Sequence, residues 1–406
     1  MAKSKERKEF TKQNYVSSFN VVGRAIVTDS TFSLDQKSNK SDWIYNRMNL
    51  GIDCGDDNGV VYVTSMGGYG ADRANVIYVH GKNDDGSDDF KNSYTVNFED
   101  RNEDAVLSSV GRMCLKSAAV ERDNKGKNVY RNFLSEYDMI QYLADHLENG
   151  TVVGVSGNLE YQIYNGVTNV QRVVTRISLY DAEPSDFRAN FTQTILLDEN
   201  CKGEIDKTTG EMVIDGYVLE YMKEYRGHSL AVGDKKGQNV PLPFSFRYMI
   251  NLENKELSQK AIKKLFDVKK GSVNVLTMEG HMMSSGATVQ MTEDELPDDI
   301  KEFINLGIMS LEDALTSCAT NGNRERKMII VKPRIKNVTN QDGTVNHVVQ
   351  IFEGEYSAED LDYFRTMVDS THTEDISDGM NPPEEEADEV EFGDVVGDDS
   401  SWLDDL

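Results

Sequence analysis

The chain has 406 residues, and a length of that order exceeds what one hydrophobic core usually supports, so two folded domains plus tails are expected. No stretch approaches the roughly 20 apolar residues of a membrane span, and Met1-Ala-Lys-Ser-Lys-Glu-Arg-Lys lacks the apolar centre of a signal peptide, so a cytoplasmic protein is expected. The formal net charge is -27, of which the stretch Thr373 to Leu406 supplies fourteen Asp and Glu with no Lys or Arg; the remaining -13 counts against a simple polyanion-binding body, and any such role would have to use a local basic groove.

Residues 1–14 are polar and basic, with Lys3, Lys5, Arg7, Lys8 and Lys12, and are expected to form a flexible arm. A first domain is expected over 15–185. Phe19 to Val27, Trp43 to Ile52 and Val60 to Met66 are rich in β-branched and aromatic residues and read as three strands. An insertion is expected over about 67–130, where Gly, Asp and Asn are mixed with short strand-like pieces at Asn75 to Val79 and Tyr94 to Phe98. Gly67-Gly-Tyr-Gly lacks the Lys-Ser/Thr and the helix of a phosphate-cradling loop and reads as a turn.

Ser135 precedes a run in which Met139, Ile140, Leu143 and Leu147 recur at helical spacing, and Asn149-Gly150 ends it. Two more strands follow, Thr151 to Gly157 and Val170 to Leu179. Three strands, a helix and two strands is the order of an OB-fold, a five-stranded barrel with a helix between its third and fourth strands; another small α+β domain shares that order.

Residues 186–368 repeat the theme. Tyr217 to Tyr221 and Leu242 to Ile250 read as strands, Ser258 to Phe266 as a helix, and Ser272 to Leu276 and Lys327 to Ile335 as strands, with a helical insertion near Asp298 to Ala319. The junctions match: helix, then Gly150-Thr-Val-Val in one half, and helix, then Gly271-Ser-Val-Asn in the other. The fold class expected is mainly β with some α, as tandem OB-fold-like five-stranded barrels with insertions. After residue 369 the composition cannot support a core, so 369–406 is expected to be a disordered acidic tail whose tip carries Trp402, Leu403 and Leu406.

A Walker A loop, a dinucleotide fingerprint, H-E-x-x-H and G-x-S-x-G are all missing from the sequence, and His80, His146, His228, His281, His347 and His372 are scattered. Neither catalysis nor a cofactor or metal is expected. The four cysteines, Cys54, Cys114, Cys201 and Cys318, form no C-x-x-C pair and read as buried reduced thiols.

Strand alternation identifies the candidate binding residues. One face of the second strand carries Trp43, Tyr45, Arg47 and Asn49, and the other carries Ile44, Asn46, Met48 and Leu50. Flat rings beside a guanidinium suit single-stranded nucleic acid, because bases stack on the rings and the cation meets phosphate; an edge strand packing its aromatics on the insertion is the alternative. Tyr62 on the third strand joins this set. Arg172 and Arg176 alternate with Val173, Thr175 and Ile177 on the first fifth strand, and Lys332, Arg334 and Lys336 alternate with Val331, Pro333 and Ile335 on the second, each a basic row over an apolar one. A solvated face is the usual explanation for such a row, and its recurrence in both halves is what favours a functional one. Phe244, Phe246 and Tyr248 share a face with Leu242 and Ile250 and read as core, with Arg247 pointing away.

The barrel order, the opening Val21-Val-Gly-Arg-Ala-Ile-Val, the aromatic second strand and the acidic tail together resemble the single-stranded DNA-binding proteins, particularly the larger, divergent ones of bacteriophages. The resemblance implies a protein without catalysis that protects single-stranded DNA in replication, recombination or repair, located in the host cytoplasm if phage-encoded. It also implies a tail whose hydrophobic tip recruits replication or recombination proteins. The tip Asp398-Asp-Ser-Ser-Trp-Leu-Asp-Asp-Leu departs from the Pro-Phe ending of bacterial members. Two rivals remain: a phage structural or assembly protein that binds no nucleic acid, which suits the acidic body, and a Mg²⁺-dependent nuclease using acidic residues such as Asp53, Asp56 and Asp57.

Overall fold

The computed structural model describes residues 8–164, 166–233, 235–285, 325–339 and 345–369. In the first half, β1 (Ser17–Ile26), β2 (Phe32–Lys37), β3 (Trp43–Asp53) and β4 (Val60–Gly70) lead into a hairpin of β5 (Val76–Lys82) and β6 (Asp88–Asn97). There follow α1 (Asp104–Ser109), β7 (Lys116–Ala119), β8 (Arg131–Phe133), α2 (Glu136–His146), β9 (Val152–Tyr164) and β10 (Val167–Leu179). The second half begins with β11 (Arg188–Leu197), β12 (Lys202–Ile205), β13 (Glu211–Met222), β14 (Glu224–Tyr225), β15 (His228–Ser229) and β16 (Gln238–Met249). It continues with α3 (Lys255–Phe266), β17 (Ser272–Ser285), β18 (Glu325–Pro333), β19 (Ile335–Thr339), β20 (Val345–Val349), β21 (Ile351–Ser357) and α4 (Ala358–Asp369).

Alternation along β3 buries Asn46, Met48, Leu50 and Ile52 and turns Arg47 and Asn49 to solvent. The matching faces of β1, β4, β9 and β10 bring Val21, Val63, Val155 and Ile177 to the same core. Pairing runs β1 to β3, β4, β10, β9 and back to β1. All of these pairs are antiparallel except β4 with β10, which meet in parallel at Thr64 and Val173. With α2 between β4 and β9, this is a closed OB-fold barrel. A second barrel closes through β11, β13, β16, β18, β17 and back to β11, with α3 between β16 and β17 and a parallel contact of β16 with β18. The expected tandem is thus the fold. Its first strand, β11, went unrecognised because Thr192-Gln193-Thr194 breaks the apolar pattern; Gln193 and Thr194 are nevertheless buried, since β11 pairs with β1 of the first barrel from Ser17↔Gln193 to Val22↔Arg188.

The helices form for local reasons. Ser135 Oγ accepts from Tyr137 N at 3.2 Å as the cap of α2, and Met139, Ile140 and Leu143 pack into the barrel end, each such side chain contributing about 1.5–3 kcal/mol. Asn254 caps α3 by accepting from Leu257 N at 3.0 Å, so that helix starts ahead of the expected Ser258. Gly150 and Gly271 take φ of +82° and +74° before β9 and β17, a conformation that glycine adopts without strain.

Gly67 to Gly70, expected as a turn, lie inside β4. A Cβ on Gly67 would stand 2.8 Å from both Glu136 Cβ and Tyr137 N, so glycine is what lets the start of α2 close on the strand. Beyond β4, the β5–β6 hairpin builds a satellite core with Val79, Val96, Val110 and Leu134, and β7 extends the barrel sheet by pairing in parallel with β10.

The basic arm is anchored from Lys8 onward. Phe10 is buried against Tyr356 and Phe364, with ring centroids 4.5 and 6.1 Å apart, while Lys8 pairs with Glu355 at 3.0 Å and Lys12 with Glu220 at 3.0 Å. Polar composition concealed one aromatic that β21 and α4 enclose. The remainder of the arm, the helix expected near 298–319, Cys318, His372 and the acidic tail from residue 370 with Trp402, Leu403 and Leu406 lie outside the described residues. Among the described residues no helix is long and apolar enough to cross a membrane.

Candidate nucleic-acid interface

Trp43 and Tyr45 sit two residues apart on the outer face of β3, where the strand period places their rings side by side. The rings stack at 4.6 Å with an interplanar angle of 16°, and both are half-buried. Arg47, next along that face, is exposed and has no ion-pair partner among the described residues. On the neighbouring strand Gly70 stands opposite Trp43, Gly68 opposite Tyr45 and Met66 opposite Arg47. The glycines themselves lay no side chain over the aromatic pair, and the space over Gly70 is taken by Arg73 beside Asp42. The result is a shelf of two rings with a cation at its end, on the outside of a closed barrel.

Tyr62 lies on the outer face of β4 opposite Gly51, further along the same sheet surface. Arg326 of the second barrel approaches its ring at 5.9 Å. Sequence reasoning missed Arg326, because it stands far from Tyr62 along the chain and only the packing of the two barrels brings them together.

The basic row expected on β10 does not form. A bulge between Val174 and Arg176 shifts the register against β9 and exchanges the faces of the strand. Before the bulge Arg172 and Val174 point inward; after it Ile177 does, and Arg176 turns outward. Arg172 is only 8 % exposed, and its Nε donates to Met282 Sδ at 2.9 Å. Burial, together with the charge of Arg326, pushes the Arg172 guanidinium down to about 10, so it stays charged at neutral pH. Arg176 lies over the Tyr130 ring at 5.0 Å.

The row expected on the second barrel is also redistributed. A register shift opposite Glu279 and Gly280 leaves Val331 53 % exposed, and Ile335 is 58 % exposed, so neither belongs to an apolar face. Lys332 pairs with Glu279 at 3.1 Å. Arg334 follows the end of β18 at Pro333, its N–H donating to Thr277 O at 2.8 Å, and Lys336 belongs to the separate β19–β20 hairpin. These three residues therefore occupy three settings. Arg247 is held by Glu211 at 2.9 Å, and Phe246 is core.

Cys114 and His80, 34 residues apart, meet in the satellite core. Cys114 Sγ lies 3.3 Å from His80 Nδ1, and His80 Nε2 lies 2.6 Å from Asp88 Oδ1. Burial pushes the Cys114 thiol up, against the lowering effect of the His80 N–H, so the sulfur is a thiol and a poor nucleophile at neutral pH. Cys54 and Cys201 are buried and free. Asp53 accepts from Gly55 N at 3.1 Å within the β3–β4 turn, and no three His, Cys, Asp or Glu among the described residues converge so as to hold a metal ion.

Two solved structures share a loose likeness with the chain, both of the single-stranded DNA-binding protein from Thermus aquaticus. The wild-type form is 11 % identical over 67 % of this chain and 86 % of its own, with a TM-score of 0.28. A deletion mutant is 11 % identical over 67 % and 88 %, with a TM-score of 0.29. So loose a superposition supports no conclusion about function. No curated protein matches the chain. A family model described as YorF matches residues 76–297, more than half of the sequence, from the β5 strand through β17. The chain belongs to the YorF family.

Proposed function

We propose that the protein binds single-stranded DNA without sequence preference and performs no chemistry on it, using the outer face of β3 and β4. The observation that carries this reading is the stacked Trp43–Tyr45 pair beside Arg47, opposite strand glycines. Every base has a face that can stack, so such a shelf is indifferent to sequence, and the adjoining guanidinium meets the backbone. A duplex keeps its bases stacked inside and offers the shelf nothing. Arg176 and the second-barrel cations Lys332, Arg334 and Lys336 add positive charge elsewhere on the path in this reading. The role that fits is protection of single-stranded DNA during replication, recombination or repair, in a phage setting and in the cytoplasm. The acidic tail would recruit replication or recombination proteins through Trp402, Leu403 and Leu406.

The acidic body, at -13 before the tail, favours a second reading as a phage assembly or interaction protein. Anisotropy titration with a labelled oligo-dT and with the matching duplex separates them. Binding of the single strand that weakens as salt rises supports the first reading, and an absence of binding at low salt supports the second.

A further inference from the structure

Where the two barrels meet, the start of β4 and the end of β17 enclose a notch of about 10 Å³, room for a single water-sized group. The junction is tight. Ser284 N donates to Asn58 O at 2.9 Å, and Gly59, at φ +65°, approaches so closely that a Cβ would stand 2.3 Å from Ser284 O. Into this notch face Arg172 from the first barrel, Arg326 from the second and the ring of Tyr62.

Among the described residues the charges there are unbalanced. Arg172 is more than nine-tenths buried, and among the described residues its one hydrogen bond is the weak contact from Nε to Met282 sulfur, which leaves the two terminal nitrogens without an acceptor from those residues. Arg326 makes no ion pair among the described residues. Among the described residues, Arg326 is the charged group that acts most on Arg172, and the two repel. A buried guanidinium normally comes with an anion. Here the described residues supply none, and the space beside the open nitrogens admits one oxygen.

We propose that this notch is an oxyanion site, in which one phosphate oxygen enters between Arg172 and Arg326 with Tyr62 against its flank. Guanidinium groups from two barrels and a cavity of one-oxygen size fit a tetrahedral phosphate presented from outside, whose remaining oxygens stay in solvent. On the single-strand reading, on which this choice of source rests, the phosphate belongs to the polynucleotide backbone. Tyr62 continues the outer face that carries Tyr45, and six residues of β3 separate Tyr45 from Gly51, the residue opposite Tyr62, a span of about 20 Å. A strand stacked on the shelf would thus cross to the second barrel over the notch. A free phosphate or pyrophosphate offers the same oxygen.

The test uses the full chain and Arg326→Gln, a substitution at an exposed side chain that leaves the core intact. Phosphate and pyrophosphate, added at constant ionic strength against chloride, should raise the melting temperature of the wild type and not of Arg326→Gln. In oligo-dT titrations across salt, Arg326→Gln should weaken binding several-fold and flatten the slope of log K against log salt by about 0.7, the share of one phosphate contact on a single strand. Trp43→Ala should weaken binding with the slope unchanged. Stabilisation by phosphate without any oligo-dT binding would keep the site, assign it to free phosphate and overturn the single-strand reading. Oligo-dT binding with an unaltered slope in Arg326→Gln, and no phosphate stabilisation, would overturn the site and leave that reading standing.

Discussion

The phenol of Tyr161 donates to the side-chain oxygen of Gln193 across the junction of the two barrels, at 3.0 Å. The same oxygen accepts from Ser17 Oγ at 2.8 Å, and the amide nitrogen donates to Tyr15 Oη at 2.8 Å and to Thr194 O at 2.8 Å. Gln193 is fully buried, so one side chain ties β1, β9 and β11 together with every polar atom satisfied. Gln193→Leu removes all four bonds and strands Tyr161 in an apolar setting. It should destabilise the chain by about 1–3 kcal/mol, read as a lower urea midpoint; an unchanged midpoint would show that the barrels are held by backbone pairing alone.

The two faces of β3 should respond oppositely to truncation. Trp43→Ala on the outer face should weaken oligo-dT binding by about 1–3 kcal/mol and leave the melting curve nearly unchanged. Leu50→Ala on the inner face should cost about 2–5 kcal/mol of stability through the cavity it leaves. Early unfolding of Trp43→Ala with normal binding once folded would make the indole a packing residue.

Gly67 carries a prediction of its own. Gly67→Ala places a methyl 2.8 Å from the backbone of α2, and that helix cannot yield without leaving the barrel end. A loss of about 1–3 kcal/mol in denaturant is expected, and a neutral result would mean that α2 packs with slack.

These particulars mark how far the sequence was legible. Alternation in Trp43 to Leu50 and the Ser135 cap were readable because their causes are local. The β10 and β18 faces were not, because a bulge moves one residue out of register and its position depends on the neighbouring strand. β11 was hidden for a related reason: its polar residues are buried against another barrel, and its own pattern carries no trace of that partner. Arg172, Arg326 and Tyr62 come from both barrels, and only the junction assembles them.

His281 supplies a pH test. Burial holds its imidazole below the ordinary value, against the raising effect of Asp57. The folded chain therefore takes up this proton less readily than the unfolded chain, and stability is lost as pH falls below the unfolded value of about 6.5. Between about pH 7 and about pH 5 the wild type should lose more melting temperature than His281→Gln. Equal losses would assign the acid sensitivity to other groups.

On the proposed reading, the fourteen carboxylates of residues 373–406 would compete with DNA for basic residues, most strongly where salt does not screen them. Removing residues 373–406 should tighten oligo-dT binding at low salt and have little effect at high salt. Trp402→Ala should leave DNA affinity unchanged while reducing the capture of partner proteins from a lysate. Identical partners recovered by the full chain, the truncation and the point mutant would reduce the tail to a solubilising appendage.

The most direct measurement uses the fact that the chain has only two tryptophans. In Trp402→Phe the emission comes from Trp43 alone, one of the two rings of the proposed shelf. Oligo-dT should quench that emission to saturation, with an affinity that falls as salt rises, and the matching duplex should leave it nearly unchanged. Emission indifferent to oligo-dT at low salt, or quenched equally by duplex, would contradict single-strand binding on this face.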